Sequence, residues 1–252
     1  MARKRTFDLG SLLTLPLGIV IVVAAQMLEG GAPRSLLQGA AGLIVFGGTT
    51  AAVLVSYSPR EVARAVRAVA RTFERVSDDT DALIAKLIAI SSRAHRKGLM
   101  SLEADLGDLD NRFLRDGLTL IVDGVSIETL RDMVTVERRA READEELPAR
   151  VFEAAAGYAP TLGILGAVLG LIEVMQHLSE PAALGSGIAV AFVATVYGVG
   201  SANLIFLPLA GRLRERGATA VRNRDLVAEA LFAIHARTNP RLVAQKLKVL
   251  SA

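Results

Sequence analysis

Apolar residues in this chain fall into two patterns. In four stretches they run almost unbroken, roughly over residues 9–28, 36–57, 157–178 and 184–210. Elsewhere they recur with a helical period among charged positions. Each unbroken run reaches the ~20 residues that carry a helix across ~30 Å of hydrocarbon. EGGAPRS, with Gly30, Gly31 and Pro33, makes a tight turn between the first two runs, and SEPAALGSG, with Pro181 and Gly185, joins the last two. The pattern predicts an all-α membrane protein with four transmembrane helices in two hairpins and a helical domain between helices 2 and 3. The expected divisions are a hairpin over residues 1–57, a soluble helical part over 58–150, a second hairpin over 151–211 and a helical tail over 212–252.

The soluble part reads as helix throughout. SPRE, Ser58 to Glu61, has the form of a capping box, with Pro59 at the first helical position, where its missing donor costs nothing. Val62, Val66, Val69, Phe73 and Val76 then follow at steps of four and three, one apolar stripe. A second helix is expected from Thr80 to Lys97, stopped by Gly98. Shorter helices are expected over residues 101–115 and 126–146, and Pro148 is expected to begin another that leads into the third run. The tail opens with GRLRERG and carries a further stripe through Leu226, Val227, Ala230 and Leu231.

Charge placement orients the whole. Three basic residues precede the first run, sixteen lie between Tyr57 and Arg150, nine follow Ala210, and Arg34 alone lies elsewhere. Basic residues collect on the cytoplasmic side. Both termini and the middle part are therefore expected in the cytoplasm, with two short loops outside. The first run, although preceded by Arg3, Lys4 and Arg5, is too long and too closely followed by a second to read as a cleaved leader. Cysteine is absent, so disulfides and thiolate metal sites are too. No nucleophile–base pair or phosphate loop appears, and His95, His177 and His235 are scattered, which argues against an enzyme. Eighteen acidic residues balance the basic ones in the middle part, which argues against nucleic-acid binding.

Placed on helices, the third run aligns Ala156, Pro160, Gly163, Ala167 and Gly170 on one side, and the fourth aligns Gly187, Ala191, Thr195, Gly198 and Ala202. Such small-residue stripes, to which Gly166 adds, let membrane helices approach closely. Their first reading is tight packing; the sharper one is the border of an ion route. Thr195 offers a hydroxyl at mid-run, equally able to bond its own helix. Pro160 removes a donor and favours a static kink. Asn203 reads as a hydrogen-bonding residue between helices. Neither stripe carries a carboxylate at mid-depth: Glu153 lies near the cytoplasmic end and Glu173 near the outer interface. An ion route in hydrocarbon ordinarily needs such a group, so the acid is expected from another chain.

Several stretches in order, GAAGLIVFGGTTAAVLVSY, RKGLMSLEADLGDLDNRFLRDG, YAPTLGILGAVLGLI, AVAFVATVYGVGSANLIFLPLAGRL and NPRLVAQKL, make the chain resemble the flagellar motor stator family MotA/PomA over nearly its whole length. The resemblance implies an inner-membrane, ion-conducting subunit without a cofactor, five copies surrounding a dimer of a MotB/PomB-type peptidoglycan-binding partner. That partner's helix brings the ion-binding aspartate. It also implies torque on the rotor protein FliG through a basic pair and a later glutamate. Here HRKGLMSLE supplies Arg96, Lys97 and Glu103, and because the stretch is one residue shorter than the common pattern, His95 falls at the first basic position. Pro160 and Pro208 match the family prolines at the cytoplasmic ends of the third and fourth helices, and Thr195 matches a hydroxyl near the ion site. Sodium-driven relatives carry a threonine where this chain has Ala167, so protons are expected as the coupling ion, with sodium the alternative. The more distant ExbB/TolQ class resembles the second hairpin, but its three-crossing plan does not account for the first.

Overall fold

Helix dominates the computed structural model, which describes residues 6–7, 9–75, 80–177, 179 and 181–251. The basic triplet at residues 3–5 and the expected stripe position at residue 76 lie outside them, as does residue 178, the end of the third run. Among the described residues nine α-helices follow in order: α1 Leu9–Leu28, α2 Gly39–Ser56, α3 Pro59–Thr72, α4 Thr80–Lys97, α5 Arg112–Val122, α6 Ile127–Gln176, α7 Pro181–Ser201, α8 Leu207–His235 and α9 Pro240–Ser251. One two-residue antiparallel pair, β1 Thr6–Phe7 with β2 Glu74–Arg75, is the only sheet among the described residues.

Three of these segments are long and apolar enough to cross a membrane: Gly39–Ser56, Ile127–Gln176 and Leu184–His235. The 20-residue α1 carries no charge. Two of the runs contain a wide π turn, Leu43–Gly47 within α2 and Ala202–Phe206 between α7 and α8. The second turn changes one expectation. Pro208 does not end the fourth helix, because the helix continues to His235. A wide turn just ahead of a proline gives its ring the room that a regular i−4 carbonyl would deny.

Pro148 likewise does not start a helix. It lies inside α6, which runs unbroken through Pro148 and Pro160. An interior proline costs about 3 kcal/mol. Leu147, Ala149 and Val151 around it are buried, and a buried Leu or Val side chain stabilises by roughly 1.5–3 kcal/mol, which offsets the lost bond. The helix expected over residues 101–115 is instead a 3-10 segment, Leu99–Asp108, followed by α5. Asn111 caps α5, its Oδ1 accepting from Leu114 N at 3.1 Å. An asparagine side chain that bonds the backbone ahead of it favours a fresh helix start over continuation.

The chain divides into two compact units. The first comprises residues 1–76 and 146–215, the second residues 77–145 and 216–252. In the first, Val53, Ala65, Leu147, Val151 and Ala155 form a small core, and Ala41, Val45, Val193 and Ala194 another. The capping box is formed: Ser58 N donates to Glu61 Oε2 at 2.7 Å, and Glu61 N donates to Ser58 Oγ at 3.3 Å. The Ser58 hydroxyl, ahead of its backbone N–H, holds the Glu61 carboxyl below the usual carboxylate range. A depressed pKa places this contribution above the ordinary carboxylate range and removes it as pH falls through the lowered value. Ser58→Ala lowers the stability of α3 by about 1 kcal/mol, read as faster amide exchange in its first turn.

The second unit is a continuous core in which Leu87, Leu102, Leu114, Leu118, Leu130, Leu226, Leu231, Ile234 and Leu247 are all inaccessible or nearly so. The tail therefore folds into the same core as α4, α5 and the first part of α6.

Candidate functional sites

Within the first unit the two small-residue stripes face each other. A Cβ added at Gly198 would lie 2.6 Å from Ala159 O and 2.9 Å from Gly163 Cα. One at Gly163 would lie 2.9 Å from Ala194 O, and one at Gly170 would lie 2.8 Å from both Ala191 N and Gly187 O. Gly166 meets the Ala194 methyl, and Gly187 meets Val174 and Gly170 O. The backbones of α6 and α7 are thus in direct contact, as small residues on both sides allow. Gly163, Gly166, Gly170, Gly187, Ala191 and Gly198 are all buried here.

The polar members of these helices turn inward on their own backbones. The Thr195 hydroxyl donates to Ala191 O at 3.4 Å, and Asn203 Nδ2 donates to Val199 O at 2.9 Å. Asn203 is exposed, while Pro160, Ala167 and Thr195 are half-buried and Pro208 is exposed. Glu173 is largely exposed and lies 3.4 Å from His177, and Glu153 pairs with Arg214. No carboxylate therefore lies on α6 between Glu153 and Glu173, and none lies on α7. No group of acidic and histidine side chains able to hold a metal occurs among the described residues.

Tyr197 is a residue whose role sequence reasoning passed over. Its hydroxyl donates to Leu36 O and accepts from Gln38 N at 3.3 Å, and its ring lies 5.4 Å from Phe46. It thus satisfies the backbone at the start of α2, where the chain leaves the Pro33–Leu36 turn and a buried orphan group would be costly. A lone tyrosine in an apolar run was the available signal.

In the second unit, His95, Arg96 and Lys97 form the last turn of α4 and Glu103 lies on the 3-10 segment that follows. All four are exposed. Gly98, at φ +85°, makes the turn between them, a conformation that favours glycine. Arg93 pairs with Asp105 across that turn, which ties the segment bearing Glu103 to α4. His95 Nδ1 lies 3.2 Å from Arg237 O, and Arg96 Nε donates to Ser92 O at 3.3 Å. The patch therefore presents both signs of charge from a braced turn, with Arg96 and Lys97 also complementing the helix end.

Comparison with known proteins identifies the family. Residues 106–225 match the MotA/TolQ/ExbB proton channel family. The chain is similar to Motility protein A of Bacillus subtilis (strain 168), 34% identical over 95% of this chain and 89% of that protein. It is also similar to Chemotaxis protein PomA of Vibrio alginolyticus, 30% identical over 96% and 94%. Among solved structures it is similar to C. jejuni MotAB, with a TM-score of 0.88 at 29% identity over 96% of this chain and 95% of that one. Matching at these levels over nearly its whole length, the chain belongs to the MotA/PomA family of flagellar stator proteins.

Proposed function

We propose that this protein is the ion-conducting stator subunit of a bacterial flagellar motor, which converts ion flow into torque on the rotor. The observation that carries this is the pairing of a match along the whole chain to Motility protein A with a tightly packed α6–α7 contact that lacks a carboxylate of its own. A route without an acid needs one from a neighbour, and the solved relative is a MotAB complex. A MotB/PomB-type subunit anchored to peptidoglycan supplies it. Several copies of the chain, five by family resemblance, surround that partner.

Four membrane helices in two hairpins, in the cytoplasmic membrane of a bacterium with both termini inside, agree with the distribution of basic residues. Ile164, Leu165, Val168, Leu169 and Phe192 are exposed on α6 and α7. In a bilayer they meet lipid, the partner or another copy. His95, Arg96, Lys97 and Glu103 are the surface for FliG. Pro160, Thr195 and Pro208 belong to the ion route and its coupling to movement. Protons are the coupling ion, because Ala167 offers no oxygen ligand where sodium would need one. An ExbB/TolQ-like role in energising an outer-membrane process is the competing reading. The end-to-end likeness to Motility protein A, first hairpin included, favours the stator.

Deleting the gene in a strain without a second stator leaves flagella assembled and paralysed, and a single-span peptidoglycan-binding protein co-purifies with the tagged chain. Loss of the filaments, or purification alone, refutes the stator role. Swimming that stops with a protonophore and ignores sodium identifies protons.

A further inference from the structure

The two wide π turns belong to different helices, yet both border one cavity of about 450 Å3 in the first unit. Phe46 comes from the turn at Leu43–Gly47, and Leu204 and Ile205 come from the turn at Ala202–Phe206. Ile19, Val22 and Val23 of α1 supply a third wall. There α1 lies close to the second turn, since a Cβ added at Gly18 would stand 3.0 Å from the Leu204 side chain. Gly200, also in the wall, leaves the space open, with nothing within 4 Å of a Cβ added to it. Packed interiors hold few voids of this size, and π turns recur at functional sites.

Three polar side chains line the cavity, and two of them are already satisfied. The Tyr197 hydroxyl bonds Leu36 O and Gln38 N, and Ser201 Oγ donates to Gly198 O at 3.2 Å. The third is Arg34, the only charged residue of the wall. It is exposed, so its guanidinium sits at the rim, and no described residue partners it. Glu29, the acid of the same connection, is exposed and unpaired with it. Arg34 is also the only basic residue between residues 6 and 59, set apart from the basic stretches of the chain.

Apolar walls with one free cation at the rim match a phospholipid, whose acyl chain is apolar and whose phosphate is an anion. A helix of another subunit, about 10 Å across, would fill this volume in roughly one turn, whereas a slender chain enters it. Lipid tails are as apolar as the wall, so the cavity gains van der Waals contact and little else from the tail. Selectivity therefore rests on the headgroup, which a guanidinium fork holds through paired hydrogen bonds to phosphate.

We propose that this cavity holds an acyl chain of an anionic phospholipid, with the lipid phosphate on Arg34. The site requires that these helices lie in a bilayer and is independent of the motor role.

The test uses the full chain in complex with its partner subunit, in nanodiscs that mix phosphatidylcholine with phosphatidylglycerol. The chain has no tryptophan, so Phe46→Trp puts one reporter in the cavity wall, read against the same complex without the substitution. Phosphatidylglycerol brominated on its acyl chains quenches the reporter at about fivefold lower mole fraction than brominated phosphatidylcholine. Arg34→Gln brings the two lipids to parity. Gly200→Leu, which fills the cavity and keeps Arg34, also removes the preference. Native mass spectrometry of the complex without the tryptophan serves if that variant does not assemble: Arg34→Gln lowers the phosphatidylglycerol retained per chain. Equal quenching by the two lipids, a preference that survives either variant, retention unchanged by Arg34→Gln, or a reporter that neither lipid reaches because protein covers the cavity overturns the assignment.

Discussion

Gly198→Val abolishes swimming, and Gly198→Ala already impairs it. The added Cβ meets Ala159 O at 2.6 Å and Gly163 Cα at 2.9 Å. Both are backbone atoms of a continuous helix, so no side-chain rotation relieves the clash. The helices must separate, and every contact between the stripes loosens with them, including the equally close ones at Gly170 and Gly187. Overpacking of this kind costs about 1–3 kcal/mol for alanine, and valine exceeds it. In a membrane the loss weighs heavily, since van der Waals contact rather than the hydrophobic effect holds such helices together. Gly211→Ala is the control, since nothing lies within 4 Å of its added Cβ. Motility in soft agar, membrane level by immunoblot and unfolding temperature of the purified complex are the measurements. Normal swimming by Gly198→Val at normal membrane level refutes the proposition that this contact matters to the motor.

Reversing the charges at the exposed turn of the second unit stops rotation by another route. Glu103→Lys combined with Arg96→Glu cuts swimming speed severely while the protein still inserts and still binds its partner. Neither residue supports the fold: both are exposed, and Glu103 has no partner among the described residues. An exposed ion pair contributes roughly 0.2–1 kcal/mol, and reversal replaces attraction by repulsion of like size. The double reversal therefore shifts rotor docking by on the order of 1–4 kcal/mol. Complementary reversals in the rotor protein restore speed. Unchanged torque in tethered cells argues that the rotor touches another surface.

How much of this was legible beforehand follows from the range of the interactions involved. The Ser58–Glu61 box closes within four residues, and α4 runs from Thr80 to Lys97 with Gly98 beyond it as its spacing predicted. Neither depends on distant parts of the chain. The stripes were visible at steps of three and four. Hydropathy and charge suggested four crossings; among the described residues three segments are long and apolar enough to span. What failed was the placement of breaks. Pro148 and Pro208 look like helix ends in a linear reading, yet burial around one and a wide turn before the other carry the helix through. The tail, read as a separate segment, is built into the core of α4 and α5 through Leu226, Leu231 and Leu247.

By itself, then, the sequence determined that the chain is largely helical, which runs suit a bilayer, which side of each helix is small and where a mixed-charge turn lies, because those properties repeat over neighbouring positions. Only the tertiary structure decided that Gly163 meets Gly198, that Tyr197 reaches the backbone at Leu36, and that the two wide turns border one cavity. Those partners are separated by tens of residues or more. Their meeting is set by how whole helices pack, a long-range choice that no local period encodes.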